Sequence, residues 1–535
     1  MSRLTVRADV SYHHAEVRGM ERGRLRDELK KLLGPGRISF APQDIVTYSS
    51  DMYPATQIDK LGKMLPQVSP AAICFPEDAA EVQLLVRFCS QERVPVVPCG
   101  AGSGVCGGTL PPEGAVVIDL KRMDRILRFD PKAGIIEVEP GIIGERLEDW
   151  LNSKGFTLGH FPSSIACSTV GGYVACRSAG QYSSRYGKIE DMTVGLSVIL
   201  GDGNQLDLGI LGGGNRRDPM LAVILGSEGT LGIVTQVALR VEPLPELVDF
   251  SGFAFVDIED GIACMRRLLR AGLRPTVLRL YDPLDSLIAG MHSTTASGED
   301  VHRAASKLSG LKGLLAGALT DLNEAGIAVA LLRPSMLNRI AELLPARCMM
   351  IIGVQGDKAS VARQWDEVRS IAQACRGEDL GPEPGYHWFK RRYAVSYKQS
   401  RIFAAGAFVD TLETATTWDN LVPMYRAVLK AMGKEVFLMA HFSHAYREGC
   451  SIYFTFAGYR PTSRAAHSIY KRAWREGIEA VTRYSGTVSH HHGVGVLKRW
   501  AMGRECPGGI ELFSAFKKIM DPERVMNPGK VYNLD

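Results

Sequence analysis

The segment Ser489-His-His-His-Gly-Val-Gly495 sets three imidazoles in succession, and imidazole is the side chain whose proton exchanges near neutral pH. Tyr453, in Ser451-Ile-Tyr-Phe454, adds a phenol, and Arg279, in Val277-Leu-Arg-Leu-Tyr281, adds a permanent cation. A phenol accepts a proton only where neighbouring positive charge or hydrogen bonds favour its ionised form, and His490, His491 and His492 can supply both. In an extended segment alternate side chains point oppositely, so one or two of the three histidines are expected to act while the rest pack. His441 and His444 raise the question of a divalent ion. The spacing matches no recognised zinc pattern and nothing independent supplies carboxylate ligands, so metal ranks below hydrogen bonding at a cofactor, and no metal is expected.

A second constellation is made of glycine. Pro98, Cys99, Gly100, Ala101, Gly102, Ser103 and Gly104, followed by Gly107 and Gly108, place small residues directly after a β-like run, where backbone N–H groups can converge on an anion. No Gly-Lys-Ser/Thr follows, so this is no Walker loop, and Thr109-Leu-Pro stands where a Rossmann fingerprint requires a long helix. Pro162 to Gly172 supplies the hydroxyls of Ser163, Ser164, Ser168 and Thr169 and the pair Gly171-Gly172, with Cys176, Arg177, Ser178 and Ala179 just beyond. A third loop starts at Gly226, runs through Ser227, Glu228, Gly229, Thr230, Leu231 and Gly232, and enters an apolar run at Ile233. Tight turns would explain each loop separately, whereas the phosphates, ribose and rings of a dinucleotide need that many contact points together. The cofactor reading is the stronger one.

These residues need elements to carry them. A charged helical lead-in covers 21–33, and 71–108 reads as strand, helix, strand: an apolar run at 72–75 ended by Pro76, helical spacing over 78–92, and a second run at 94–97. Short β-like runs follow at 115–120, 135–138, 194–200 and 233–240, with one clear helix at 143–154. The class is α+β, not a regular βαβ array. The prolines of Pro243-Leu-Pro-Glu246 mark a boundary. Residues 1–38 are read as a lead-in, 39–245 as the cofactor domain, 246–480 as an α/β substrate or cap domain, and 481–535 as a segment returning to the cofactor. Within the cap domain, 292–345 is an insertion whose expected role is packing, with a lid as the other reading.

The chain has 535 residues, 45% hydrophobic and 23% charged, which suits several cores. The net charge of +5 is small and the basic residues are distributed, so nucleic acid is not an expected partner, while anionic small molecules or lipids are compatible. Eleven cysteines, an odd number without a repeated C-x-x-C pair, fit a reducing, cytoplasmic setting. The first residues lack the apolar core of a secretory signal, and the apolar stretches are interrupted by charges below spanning length. A membrane is therefore met only from its side.

The order of the three loops, with Leu200-Gly-Asp-Gly203 between the second and third, resembles the FAD-binding domain of the vanillyl-alcohol oxidase / p-cresol methylhydroxylase superfamily, which includes FAD-linked D-lactate and glycolate dehydrogenases. Beyond it, Arg279, Asp410-Thr-Leu-Glu-Thr414 with Trp418, Tyr453 and the histidine triplet resemble the alkyldihydroxyacetonephosphate synthases. The resemblance runs from about Ser39 to the C-terminus. It implies an FAD-binding domain of two subdomains plus a cap domain, with FAD held at its pyrophosphate by 98–104, lined by 163–169 and 176–179, and closed over by 227–233. Some relatives attach flavin through a histidine in the first loop. Here that stretch holds Cys99 and Cys106 and no histidine, which implies FAD bound without a covalent link.

Tyr453 resembles the proton-transferring tyrosine of these synthases. An ungapped match over Tyr397-Lys-Gln-Ser-Arg401 puts Gln399 where they carry an arginine that holds the substrate phosphate, which leaves Lys398 or Arg401 to compensate. The reaction implied first exchanges the acyl chain of acyl-dihydroxyacetone phosphate for a fatty alcohol through a flavin N5 adduct, without net redox, in ether-lipid synthesis. The alternative is hydride transfer from a 2-hydroxy acid or another alcohol, with a histidine as base and Arg279 on a carboxylate. Fold alone does not separate the two. A homodimer, a lipid-like or small-molecule substrate and a cytoplasmic, membrane-peripheral location complete the expectation.

Overall fold

The computed structural model describes residues 22–61, 68–210, 218–286, 328, 331–342, 347–394 and 400–533. Gln399 and Lys398 and most of the 292–345 insertion lie outside the described residues, as does the side chain of Arg401.

The first sheet contains β1 (Ile38–Ser39), β2 (Ala72–Cys74), β3 (Val96–Cys99) and β4 (Val116–Asp119) in the order β1-β2-β4-β3, with β2, β4 and β3 parallel. The helix Ala79–Gln91 covers it because Val82, Leu85, Val86 and Cys89 recur at helical spacing and are all buried. Asp78 starts that helix by accepting from the Glu81 N–H at 2.9 Å. β3 ends at Cys99, so the first glycine loop leaves the carboxyl end of a parallel strand, where such sheets open a crevice.

The second sheet is antiparallel throughout: β5 (Ile126–Asp130), β6 (Ile135–Val138), β8 (Thr193–Leu200), β9 (Gln205–Leu208) and β10 (Gly232–Arg240), in the order β5-β6-β10-β8-β9. A ribbon of β7 (Phe156–Thr157) and β11 (Glu242–Pro243) lies beside it. The class is therefore α+β. One expectation needs correction: 170–176, read as loop, is a helix capped by Thr169, whose Oγ1 accepts from Gly172 N. Two glycines weaken local helix preference, but Val170, Tyr173 and Val174 bury in the core of the second sheet and decide the matter.

The third sheet is antiparallel and has seven strands, β12 (Leu247–Phe255), β13 (Val277–Tyr281), β14 (Cys348–Gly356), β15 (Glu378–Gly381), β16 (Phe408–Thr417), β17 (Phe437–Ala445) and β18 (Gly449–Gly458), in the order β15-β12-β14-β13-β17-β18-β16. The helices Ile258–Arg270, Lys358–Ala374, Trp418–Met432 and Ser463–Arg483 add side chains to its core. Trp418 is part of that core. Register aligns chemistry across the sheet: Glu413 faces Tyr453, Tyr453 faces His441, and His441 faces Tyr281 on four consecutive strands. Side chains in such a row share a face, and a one-residue slip would turn them all away.

The chain then returns to the first two sheets. Met520 joins the core of the second sheet, and Val525 and Met526 join that of the first. Val96 donates to Val525 O at 2.8 Å and Asn527 donates to Val96 O at 2.7 Å, which stitches the C-terminus to β3. Among the described residues no helix is long and apolar enough to cross a membrane.

Candidate functional site

The three glycine loops meet. A Cβ on Gly100 would sit 2.3 Å from Thr169 Oγ1, joining the first loop to the second, and one on Gly229 would sit 2.3 Å from Pro98 Cγ, joining the third to the first. Gly229 also has φ +73, a conformation open mainly to glycine. Asn527 ties the outer loops by donating to Gly108 O at 2.9 Å and Glu228 O at 2.7 Å. Beside Gly102 (φ +62) and Gly104, by contrast, a Cβ would meet nothing within 4 Å. Tight contacts on one side and open space on the other make a cradle that a flat, phosphate-bearing cofactor can fill, with backbone N–H groups as its donors.

Not every predicted cofactor residue turns toward that space. Leu231 and Ile233 are core residues, and Gly232 is closed off by Val198 in β8. Cys99 is buried beneath the loop, and Cys176 underlies the histidine turn, 3.4 Å from the Cβ position of Gly493. Burial pushes the Cys99 thiol up to about 12 and the Cys106 thiol well above its ordinary value, so neither presents a thiolate at neutral pH. Arg177, in the left-handed conformation at φ 53, pairs with Glu190 at 3.0 Å. Glu228 turns its carboxylate to the backbone N–H groups of Val494 and Gly495. His160, Ser164, Ser168 and Ser178 belong to small hydrogen-bonded groups around Tyr173: Ser168 Oγ lies 3.0 Å from Tyr173 OH, and His160 Nε2 lies 2.8 Å from Ser178 Oγ. Ala179 is buried alongside them, Ser163, Ala101 and Ser103 remain on the loops, and Gly171 lies in the helix 170–176, packed against Pro140.

The second half of the site hangs on two buried acids. Glu413 accepts from the backbone N–H groups of His490 (2.6 Å), His491 (3.2 Å) and His492 (3.1 Å), from Ser489 Oγ (2.6 Å) and from Lys498 Nζ (2.7 Å). Glu413 and Lys498 are both 0% exposed, so their charges are strongly coupled. Burial alone would push the Glu413 carboxyl up, but the Lys498 ammonium overrides it and holds the group well below the usual carboxylate range. Glu228 grips the other end of the turn. Burial pushes its carboxyl up to about 7, against the two backbone hydrogen bonds.

Wrapped around Glu413, 489–495 is a turn and not an extended segment. The alternation of an extended segment therefore does not apply here: His491 and His492 reach Tyr453 directly, and His490 joins them through His491. The Tyr453 hydroxyl hydrogen-bonds His491 Nε2 and lies 3.4 Å from His492 Nε2, while His491 Nδ1 lies 2.8 Å from His490 Nδ1. His444 reaches the same cluster through a β-bulge after Ser443, at φ 52, with its ring centroid 4.9 Å from that of His491 and its Nδ1 2.7 Å from Ser183 Oγ.

Arg279 is aimed by a dyad that sequence reading missed. His441 Nε2 lies 2.6 Å from the Arg279 guanidinium and His441 Nδ1 lies 2.9 Å from Asp285 Oδ2. Burial and the Arg279 charge keep His441 neutral, well below its ordinary pKa. The tautomer then follows: Nδ1–H donates to Asp285 and Nε2 accepts from Arg279. The His441 ring also stacks on Tyr453 at 4.8 Å.

Electrostatics set the protonation states. Burial pushes the Tyr453 phenol above its ordinary value, Glu413 adds to this, and Arg279 opposes it. Burial lowers His490 to about 3, His492 to about 4 and His491 well below its ordinary value. The histidines are therefore neutral and supply hydrogen bonds, which is the second of the two means weighed from the sequence, and not positive charge.

Glu413, His490 and His491 bring possible ligand atoms within 4.8 Å of one another. A carboxylate has about four lone-pair positions, and Glu413 already serves five donors, so this cluster is built as an anchor and not for a cation. A cofactor is a better fit. His490 Nε2, His492 Nδ1, Gln181 Oε1 and Asn527 Oδ1 are buried without partners, and buried polar atoms are rarely left so. They lie on the loops and turns that surround the cradle.

Family models match the chain as "FAD binding domain" over residues 70–209 and "FAD linked oxidases, C-terminal domain" over 244–531. The alkyldihydroxyacetonephosphate synthase of Trypanosoma brucei brucei is 28% identical over 479 residues, 86% of this chain and 73% of the relative. Glycolate oxidase subunit GlcD of Bacillus subtilis is 24% identical over 528 residues, 96% of this chain and 97% of the relative. Among solved structures, an alkyldihydroxyacetonephosphate synthase superposes with a TM-score of 0.73 at 25% identity, covering 95% of this chain and 85% of the other. Substrate-bound p-cresol methylhydroxylase superposes with a TM-score of 0.68 at 15% identity, covering 96% and 98%, and shows the same fold.

Proposed function

The chain belongs to the FAD linked oxidases, and from that premise we propose that this FAD-dependent enzyme acts as an alkyldihydroxyacetonephosphate synthase-like transferase, exchanging the acyl chain of acyl-dihydroxyacetone phosphate for a fatty alcohol. The observation that carries the reading is the hydrogen-bonded series Tyr453–His491–His490 beside Arg279. In this reading 39–245 holds FAD, 246–480 binds substrate and 481–535 completes the site. When bound, FAD supplies an electron-accepting ring atom.

The chain's own residues handle the proton. In one setting Tyr453 O–H donates to His491 Nε2, His491 Nδ1–H donates to His490 Nδ1, and His490 Nε2 carries the outermost hydrogen. In the other, His490 Nδ1–H donates to His491 Nδ1 and His491 Nε2–H donates to a phenolate on Tyr453. Passing between them moves one proton from the phenol to half-buried His490, so Tyr453 becomes a base without holding a free phenolate at rest. Glu413 stabilises the cation that the histidine pair becomes in transit. Arg279, held by His441 and Asp285, favours the phenolate and binds the anionic end of the substrate. A lipid-like substrate accords with peripheral contact with a membrane, and the reading includes a cytoplasmic homodimer.

A second reading, oxidation of a 2-hydroxy acid, draws support from the near full-length match to the glycolate oxidase subunit. One experiment decides between them: absorbance of the purified holoenzyme under anaerobic conditions. Flavin bands that persist while acyl-dihydroxyacetone phosphate releases fatty acid are expected. Bleaching by D-lactate or glycolate would replace the transferase by the oxidoreductase, and absence of flavin bands would remove both.

A further inference from the structure

On the wall formed by β13 and the end of the helix Glu383–Arg391, two more polar atoms are buried without partners, Arg279 Nε and Arg392 Nε, in addition to Gln181 Oε1. The Arg392 guanidinium carbon stands 3.9 Å from the Phe389 ring centroid and 4.4 Å from that of Tyr393, and one of its NH2 groups donates to Phe389 O at 2.6 Å. Its backbone carbonyl accepts from Gln181 Nε2 at 3.1 Å, and the same amide reaches Ser163 Oγ of the second glycine loop at 3.4 Å. Arg279 lies over Tyr281, with its guanidinium carbon 5.0 Å from the ring centroid. Tyr281, Tyr182, Phe161, Trp388 and Phe389 form one apolar cluster, so both guanidinium groups border the same aromatic wall. Among the described residues, neither is ion-paired to a carboxylate.

A stacked guanidinium is held flat and keeps its fork of donors oriented. Leaving such a donor buried and unmatched is unfavourable, and an oxyanion is the acceptor that relieves it best. We propose that Arg392 and Arg279 together clamp the oxyanion head, phosphate or carboxylate, of the substrate, with Arg392 as the specificity-determining member. This rests on the reading above only in that the substrate is anionic. It also supplies a cation seven positions before Gln399, where the synthases' arginine is replaced.

The test is titration of the FAD-loaded enzyme with inorganic phosphate and, separately, with oxalate, read from the flavin difference spectrum. Loss of one charge-assisted contact in Arg392→Ala is expected to weaken the bound anion about 10- to 100-fold at unchanged FAD content. Arg392→Lys, which keeps the charge without the fork, should fall between. A response to phosphate alone assigns the clamp to a phosphate head, and a response to oxalate alone to a carboxylate. Wild-type affinity in both variants, or no anion response in the parent enzyme, would overturn the proposal. If Arg392→Ala loses FAD, Arg392→Lys decides alone, and wild-type anion affinity there overturns the fork. Failure of both candidate reactions would remove the functional reading and leave these affinities readable.

Discussion

The glycine cradle and the histidine turn lie side by side yet are held by opposite means. The cradle is shaped by what is missing: a Cβ at Gly100 or Gly229 would collide with Thr169 or Pro98, so three loops approach closely because those side chains are absent. The turn is shaped by buried charge. Glu413 from β16 and Glu228 from the third loop reach into it from distant parts of the chain and collect seven backbone and side-chain groups between Ser489 and Lys498, five on Glu413 and the Val494 and Gly495 N–H groups on Glu228. A backbone cradle suits a cofactor that stays, whereas a charge-anchored turn fixes rings that must exchange protons with defined partners.

The contrast is broken most severely at Glu413. Glu413→Gln leaves Lys498 buried without a counter-charge, and breaking a buried pair typically costs about 3–5 kcal/mol. Denaturant unfolding should show a loss of that order, with turnover falling beyond detection. Next comes Tyr453→Phe, expected to lower turnover about 100- to 10,000-fold, the usual range for a general acid–base group, while the flavin spectrum of the purified variant matches the parent. If FAD is lost as well, the two halves of the site are not separable as argued.

Gly229→Ala attacks the other half. A Cβ there meets Pro98 in a backbone conformation that alanine adopts poorly, so a destabilisation of about 1–3 kcal/mol is expected, with reduced FAD content measured after purification and desalting.

The smallest effect is a difference of sign between the two acids. Glu413 has a depressed folded-state pKa, so its contribution is present above the ordinary carboxylate range and is lost as pH falls through and below it. Glu228 is raised from 4.5 to about 7, so its contribution is full below 4.5 and is lost as pH rises toward 7. Glu228→Gln should therefore flatten the decline in stability between pH 4.5 and 7 by up to about 1.4 kcal/mol per pH unit, read from unfolding curves at several pH values. An unchanged profile would show that the Glu228 proton is not linked to folding.

Much of this was legible in the sequence. The helix Ala79–Gln91 announces itself through Asp78 and the spacing of Val82, Leu85, Val86 and Cys89, and the strands at 135–138 and 232–240 through their β-branched runs. Three glycine loops in order gave the cofactor class, and Tyr453, Arg279 and the histidine triplet stood out by type. Local pattern failed at 170–176, where tertiary burial outweighed two glycines, and at Leu231 and Ile233, which had loop neighbours but core destinations. His441 drew notice only as a metal ligand, while Asp285 and Lys498 carried no signal, since a single carboxylate or ammonium looks alike whether it is solvated or buried.

What the sequence determined by itself is what depends on near neighbours: helix caps, strand periodicity, and the absence of side chains where loops must approach a ligand. What only the tertiary structure decided is which distant groups share one low-dielectric space. The row Glu413, Tyr453, His441 and Tyr281 exists through the register of four strands, and Glu413 meets the histidine turn only after some 75 intervening residues have folded over the third sheet, a rough span that makes the contact non-local. Charge states follow from that burial, because the same imidazole or carboxyl titrates differently once water is excluded and its partner is fixed.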